Sequence, residues 1–264
     1  MRPLDWTKQP DLLKGRTAIV TGAGGGIGRG LACALGLVGA NVVIAARRGA
    51  TGEETAALVR EAGGVALAFE TDVAERVAIE RVVARAVDAF GGIDIAIHNA
   101  ASGLSGKAFP LEAITDADWR EQAGVALDGA FHLAQACHPY LRGTGRGRFI
   151  LLNSSQGLHG GAMNPAYSAT KSAQRGFVKA LAREWGPDEI VVNAVAPAAM
   201  TDAARLYLDS DPERAAKAMA SFPLGRMGDM QDDIGAAVVA LCSDYWRYVT
   251  GLTVPVDGGY YTAL

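Results

Sequence analysis

The sequence predicts an α/β protein: a single domain built on a doubly wound, seven-stranded parallel sheet with helices on both faces. Three observations predict it. The chain has 264 residues, enough for one large domain and short for a cofactor domain beside a separate substrate domain. From about Gly15 to the C-terminus, short β-branched runs alternate with helix-length periodic segments, the order expected of βα units. Several of the strand candidates are apolar without alternation, as in a sheet buried between two helix layers.

The strand candidates are Thr17 to Thr21, Asn41 to Ala45, Val65 to Phe69, Ile93 to Asn99, Arg148 to Asn153, Ile190 to Val195 and Leu252 to Val256. Leu31, Ala34, Leu35 and Val38 follow the first strand at helical spacing. Ile79, Val82, Val83, Ala86, Val87 and Phe90 fall on one helical face, with Glu80, Arg81, Arg85 and Asp88 opposite, so that helix should cover the sheet. Glu53, Glu54, Arg60 and Glu61 read as a solvated helix face. Residues 1–14 read as an N-terminal arm and 15–264 as the domain. The stretch from about 198 to 228 is the longest irregular departure from the βα rhythm and reads as a substrate-binding lid. Its Leu206, Tyr207, Leu208, Met219, Phe222 and Leu224, with Leu158 and Met163, suggest a largely apolar pocket.

Composition excludes several roles. A net charge of −3 with 20% charged residues is unlike a nucleic-acid binder. The 33 glycines against 7% aromatics point to tight loops and not to stacking platforms for bases. Cys33, Cys137 and Cys242 lie more than a hundred residues apart with no CxxC pair, which excludes a disulfide framework or zinc knuckle. Arg2, Asp5, Lys8, Asp11 and Lys14 interrupt any secretory apolar core, and nowhere do eighteen apolar residues run together; a cytoplasmic protein with no membrane partner is expected. His98, His132, His138 and His159 show no metal-ligand spacing, so no metal is expected. His159, five residues after Ser154 in a Gly-rich loop, is a candidate for the substrate pocket.

The first strand runs into Thr21-Gly22-Ala23-Gly24-Gly25-Gly26-Ile27-Gly28 and then directly into a helix. This is the order of a dinucleotide site. Gly22 permits a sharp turn, Gly26 lets the backbone approach a pyrophosphate, Gly28 lets the helix lie close to the strand, and the helix N-terminus offers free amides to phosphates. At the end of the second strand, Ala46 stands where a protein selective for NAD carries a carboxylate. Arg47 follows, and a guanidinium fork suits a ribose 2′-phosphate, with Arg48 as a second candidate. NADP(H) is therefore expected to be preferred over NAD(H).

The glycine spacing is TGxxxGxG, and with it the chain resembles the short-chain dehydrogenase/reductase family. The resemblance extends over nearly all of the sequence. His98-Asn99-Ala100-Ala101 stands where the family has NNAG, Tyr167-Ser168-Ala169-Thr170-Lys171 matches its YxxxK, and Ser154 lies thirteen residues before the tyrosine. Asn193 to Thr201 and Tyr248 to Gly259 resemble its last two signatures. The resemblance implies a Rossmann fold and an oxidoreductase that moves a hydride between a nicotinamide cofactor and a secondary alcohol or ketone. It implies Ser154, Tyr167 and Lys171 as catalytic residues. Cofactor contacts are implied at Gly22, Gly24, Gly25, Gly26, Ile27, Gly28, Arg47, Arg48, Asp72, Val73, Asn99, Ala100, Tyr167, Lys171, Pro197 and Thr201. Gly25 occupies a loop position where NADP-preferring relatives often place a second basic residue.

Tyr167 and Lys171, four residues apart, share a helix face. An ammonium there favours the phenolate, which should let Tyr167 trade a proton near neutral pH. The family's usual fourth member, an Asn in a run like NLxGxF, is here Ala126. In the family that Asn kinks its helix and holds a water that links the lysine to solvent. Asp128, His132 and Gln122 are the polar neighbours that could substitute. Ala101 and Ala198 are further departures at family glycines. Ala126 motivates a different class, a cofactor-binding pseudoenzyme or regulator, and an acyl carrier protein reductase stands as an alternative within the enzyme reading. Sugar-nucleotide dehydratase or epimerase chemistry is disfavoured by length and by the glycine spacing. Family members commonly form tetramers. Ala166, Ala169, Ser172, Ala173 and Gly176, small residues on the helix after strand five, and the apolar end Tyr260, Tyr261 and Leu264 predict a homotetramer, with a dimer as the alternative.

Overall fold

The structure is a computed structural model that describes residues 4–105 and 107–262, with the side chains of Thr7, Ala203, Tyr207 and Arg214 left out. The Tyr207 side chain and Leu264, named above, lie outside the described set. Seven parallel strands form one sheet in the order β3-β2-β1-β4-β5-β6-β7. They are β1 (Thr17–Thr21), β2 (Asn41–Ala46), β3 (Val65–Glu70), β4 (Ile95–His98), β5 (Arg148–Leu152), β6 (Val191–Pro197) and β7 (Thr253–Val256). The chain reverses its direction across the sheet between β1 and β4, the place where ligands bind in sheets of this kind.

Each strand lies where the sequence predicts, with ends that differ for local reasons. β4 starts at Ile95, not Ile93, because the Asp94 carboxylate turns to accept the Thr17 amide at 2.9 Å. It stops before Asn99, whose amide donates to the Thr21 hydroxyl at 3.1 Å instead of joining the ladder. Within β2, Val42 and Ile44 enter one core and Val43 and Ala45 the other. The two-residue pleat thus feeds both helix layers from one apolar run.

One layer holds α1 (Gly26–Leu37), α2 (Gly49–Glu61) and α10 (Ala236–Cys242). The other holds α3 (Arg76–Phe90), α5 (Gly129–Leu141) and α7 (Pro165–Glu184). On α3, Ile79, Val82, Val83 and Ala86 are buried, the face predicted from the sequence. The helix α4 (Asp116–Ala123) runs into α5 through a π turn, Gly124–Asp128. A short α6 (Gln156–His159) precedes α7.

The lid segment is not irregular, contrary to the sequence reading. It carries α8 (Asp202–Asp209) and α9 (Pro212–Ala220), and the Thr201 hydroxyl caps α8 by accepting the Ala204 amide. Helices of eight and nine residues are too short to impose a clear period on a sequence window. Leu208 and Phe222 are buried here, whereas Leu206 and Leu224 are 73% and 64% exposed.

Candidate active site

A cavity of about 480 Å³ opens along the carboxyl ends of β1 to β6. Every residue named above as catalytic or cofactor-binding lines it, except Gly26. Gly26 instead adopts φ +53° at the first residue of α1, so its role is in the backbone turn and not in the wall. The wall also includes Ala46 and Ala101, both singled out from the sequence beside the cofactor, and Thr51, Thr71, Val125, Leu152 and Asn153, which sequence reasoning missed as contacts. Thr51 stands three residues after Arg48 and its hydroxyl donates to the Arg48 carbonyl at 2.9 Å; that spacing was the available signal.

Two glycines of the loop are required by close approach. A Cβ on Gly22 would sit 2.7 Å from the Ala100 Cα, and one on Gly28 would sit 2.5 Å from the Asn99 side-chain nitrogen. Asn99 fills the space so left: its amide donates to the carbonyls of Thr21 and Gly22 at 3.0 and 3.1 Å, which leaves the start of α1 facing the cavity with its unpaired amides. Arg29 braces the loop from behind, donating to the Gly24 carbonyl at 2.9 Å and to Glu54 at 3.0 Å. At the far end Ala46 is buried, while the side chains of Arg47 and Arg48 are exposed and have no hydrogen-bond or ion-pair partner among the described residues. A dinucleotide fits this cradle: from β2 to β5 is three strand spacings, about 14 Å, with an amide-lined turn midway.

The other end holds Ser154, Tyr167 and Lys171. Ser154 follows β5, and its hydroxyl accepts the Gln156 amide at 3.2 Å. Asn164 sits at the N-cap of α7 and Pro165 opens the helix, where its missing N–H costs nothing. Tyr167 and Lys171 then lie one turn apart. The Lys171 ammonium donates to the Leu152 carbonyl at 2.6 Å and lies 5.6 Å from the centre of the Tyr167 ring. Burial lowers the Lys171 pKa to about 8. Burial also raises that of Tyr167, against the opposing effect of its Ser154 hydrogen bond. The expectation that the ammonium dominates the tyrosine is therefore not met: the ammonium is turned to a carbonyl, and desolvation of the phenolate is the larger effect.

The kink expected from the missing Asn persists without it. Ala126 lies within the π turn, and its carbonyl accepts the Gln174 amide at 2.8 Å. None of the three substitutes named from the sequence does this. Asp128 is exposed, His132 faces the Val73 carbonyl at 3.2 Å, and Gln122 accepts the Ser105 hydroxyl at 3.2 Å. His159 is exposed, stacked on Tyr261 at 5.7 Å, and does not line the cavity. Of the lid residues only Thr201, at its base, reaches the cavity wall, beside Pro197 at the end of β6, and the apolar side chains named for the pocket do not. His98 is fully buried beside the Thr21 hydroxyl at 3.3 Å, and its pKa is pushed down to about 3, by burial first and by the Lys171 charge second. Among the described residues no His, Cys, Asp and Glu cluster could hold a metal ion, and no helix is long and apolar enough to cross a membrane.

A family model described as enoyl-(acyl carrier protein) reductase matches residues 22–261. The L-rhamnose 1-dehydrogenase (NAD(P)(+)) of Azotobacter vinelandii is 38% identical, over 96% of this chain and 99% of its own. The chain belongs to the short-chain dehydrogenase/reductase family. The 2-dehydro-3-deoxy-D-gluconate 5-dehydrogenase of Bacillus subtilis is 35% identical over 94% of this chain and 95% of its own. A solved structure of a putative NAD(P)-dependent gluconate 5-dehydrogenase from Beutenbergia cavernae, with NADP bound at low occupancy, superposes with a TM-score of 0.85 at 36% identity, covering 95% of this chain and 98% of the other. As a short-chain dehydrogenase/reductase the protein is an NAD(P)-dependent oxidoreductase of alcohols and ketones.

Proposed function

We propose that the protein exchanges a hydride between NADP(H) and a secondary alcohol or ketone, with Ser154, Tyr167 and Lys171 as its catalytic residues. The observation that carries this reading is the single cavity that joins these three side chains to the glycine loop and to Arg47. When bound, the reduced nicotinamide supplies the hydride to the carbonyl carbon. Ser154 donates a hydrogen bond to the carbonyl oxygen and holds it beside Tyr167. Tyr167 gives that oxygen its proton and, in the oxidative direction, takes it back. Lys171 holds its charge beneath the tyrosine and binds the ribose, which favours the phenolate once the proton has left. Arg47 grips the 2′-phosphate, and Ala46 offers no carboxylate to repel it.

The substrate is read as a mid-sized apolar carbonyl, because the segment that follows Thr201 of the cavity wall carries the exposed apolar side chains of Leu206 and Leu224. Cytoplasmic location and a homotetramer complete the reading. Ala169, Ser172, Ala173 and Gly176 form an exposed small-residue face on α7, opposite buried Lys171 and Gln174, and permit close helix approach; light scattering that shows a monomer at micromolar concentration would remove the tetramer. The main test is a panel of cyclic and steroid ketones beside sugar acids, each followed by the absorbance of NADPH and of NADH. Turnover of an apolar ketone with NADPH is expected. Turnover confined to sugar acids would overturn the apolar pocket, and turnover of nothing in the panel by the wild type would overturn the substrate class.

A further inference from the structure

We propose that Gln174 is a positioning residue: its amide clamps the π turn Gly124–Asp128 to the helix that bears Tyr167 and Lys171, and so fixes the reaction end of the cavity. A π turn slips the helix hydrogen bonds by one residue and leaves carbonyls that need other partners. The Ala126 carbonyl finds one 48 positions away, in the Gln174 side chain, at 2.8 Å. The opposite atom of that side chain, its oxygen, faces the Asn153 amide at 3.4 Å, and the same Asn153 nitrogen donates to the Lys171 carbonyl at 2.7 Å. Gln174 is fully buried, where an amide is costly unless both of its ends are bonded.

Position on α7 gives the clamp its consequence. Gln174 lies one turn beyond Lys171 and two beyond Tyr167, on the same buried face. Val125, next to the clamped carbonyl, lines the cavity together with Asn153 and Lys171. An apolar side chain of similar volume would fill the space, but only an amide can donate to Ala126 and accept from Asn153. Without the donor the turn is free to revert toward regular α-helix, which withdraws Val125 from the cavity wall and releases Asn153 from its second contact.

The inference rests on the assignment of Tyr167 and Lys171 to the chemistry. Gln174→Leu, with Gln174→Met as a second variant of closer shape, is tested with the ketone that the wild type turns over fastest with NADPH. In folded variant a fall in kcat of about tenfold to a hundredfold is expected, the scale of a small mispositioning, while the NADPH dissociation constant, read from cofactor fluorescence, changes less than about threefold because the glycine loop and Arg47 are untouched. Amide hydrogen exchange across residues 122–130 should also quicken without substrate or cofactor present. Unchanged kcat in a folded variant, unchanged exchange in that turn, or failure of both variants to fold would overturn the positioning role. Tyr167→Phe separates this from the reading beneath it: if that variant keeps its turnover the catalytic assignment fails, whereas an inactive Tyr167→Phe beside a fully active Gln174→Leu removes the clamp alone.

Discussion

The amino and carboxyl ends of the same sheet bury cations in opposite ways. At the amino ends, Arg16 and Arg148 flank β1 and β5 and reach the C-terminal end of α10. Arg16 donates to the Cys242 carbonyl at 3.0 Å and to Asp244 at 2.8 Å; Arg148 donates to the Gly147 carbonyl at 3.0 Å and to the Ser243 carbonyl and Asp244 at 3.4 Å. At the carboxyl ends, Lys171 is equally buried and donates to one carbonyl, with no carboxylate in the cavity wall closer in sequence than Asp72. Arginine keeps its charge and satisfies several carbonyls at once, which ties strands to helix. Lysine with one partner is left able to lose its proton. The first arrangement ties the fold together, and the second suits the chemistry proposed for Lys171.

The largest effect that would sharpen this contrast belongs to the chemical end. Tyr167→Phe removes only the transferable proton, so kcat should fall about a thousandfold or more, near 4 kcal/mol of barrier, with NADPH affinity and thermal stability close to those of the wild type. A fall in thermal stability equal to that of a core substitution would show that the tyrosine belongs with the structural end. Arg148→Ala should do the reverse. It leaves the Gly147 and Ser243 carbonyls without this donor and opens a cavity at a fully buried site, at a cost of about 3 kcal/mol. For a chain of this size that lowers Tm by roughly 10 °C. Cofactor affinity at the far end should not change, and a comparable loss of both would erase the division.

The same contrast explains what the sequence could show. All seven strands and the covering face of α3 were legible, because apolar runs and a helical period of Ile79, Val82, Val83 and Ala86 depend on local pattern. The cavity wall was legible where motifs name it, from Gly22 to Lys171. Gln174 was not, since nothing local links it to Ala126 48 positions earlier; only the fold brings a π-turn carbonyl to that amide. The preference of Lys171 for the Leu152 carbonyl over the tyrosine was hidden for the same reason. Short helices α8 and α9 escaped because eight or nine residues carry barely two turns of period. The arginines at the amino ends likewise gave no signal, since a lone Arg just before a strand or at its first residue, as Arg16 and Arg148 are, reads as an exposed charge.

A smaller effect tests how far the carboxyl end reads its cofactor. Arg47 has no partner among the described residues, so its guanidinium is free to meet a phosphate. A charge-assisted hydrogen bond contributes roughly 1.5 to 3 kcal/mol, and about 1.4 is tenfold. The wild type should therefore prefer NADP about tenfold to a hundredfold in kcat/KM, and Arg47→Ala should lose most of that preference with little change toward NAD. A native preference for NAD, or an NADP preference that survives the substitution, would show that Arg47 does not read the phosphate.

The smallest effect concerns the cost of the lone buried lysine. Its folded pKa of about 8 lies below the ordinary 10.5, so between those values the unfolded chain keeps a proton that the folded chain has released. Stability then rises with pH across that window: the penalty for burying the amine is full below about pH 8 and is gone above about 10.5. Lys171→Met removes the penalty but strands the Leu152 carbonyl, an offset of about 1 to 3 kcal/mol. At pH 7 the variant should be inactive yet about 1 kcal/mol more stable than the wild type, and by pH 10 that advantage should have vanished or reversed. Thermal unfolding at the two pH values decides it. A difference in Tm that does not change with pH would mean that the amine titrates alike in the folded and unfolded chain, as a fully solvated lysine does, and the two ends of the sheet would then not differ in how they hold their charge.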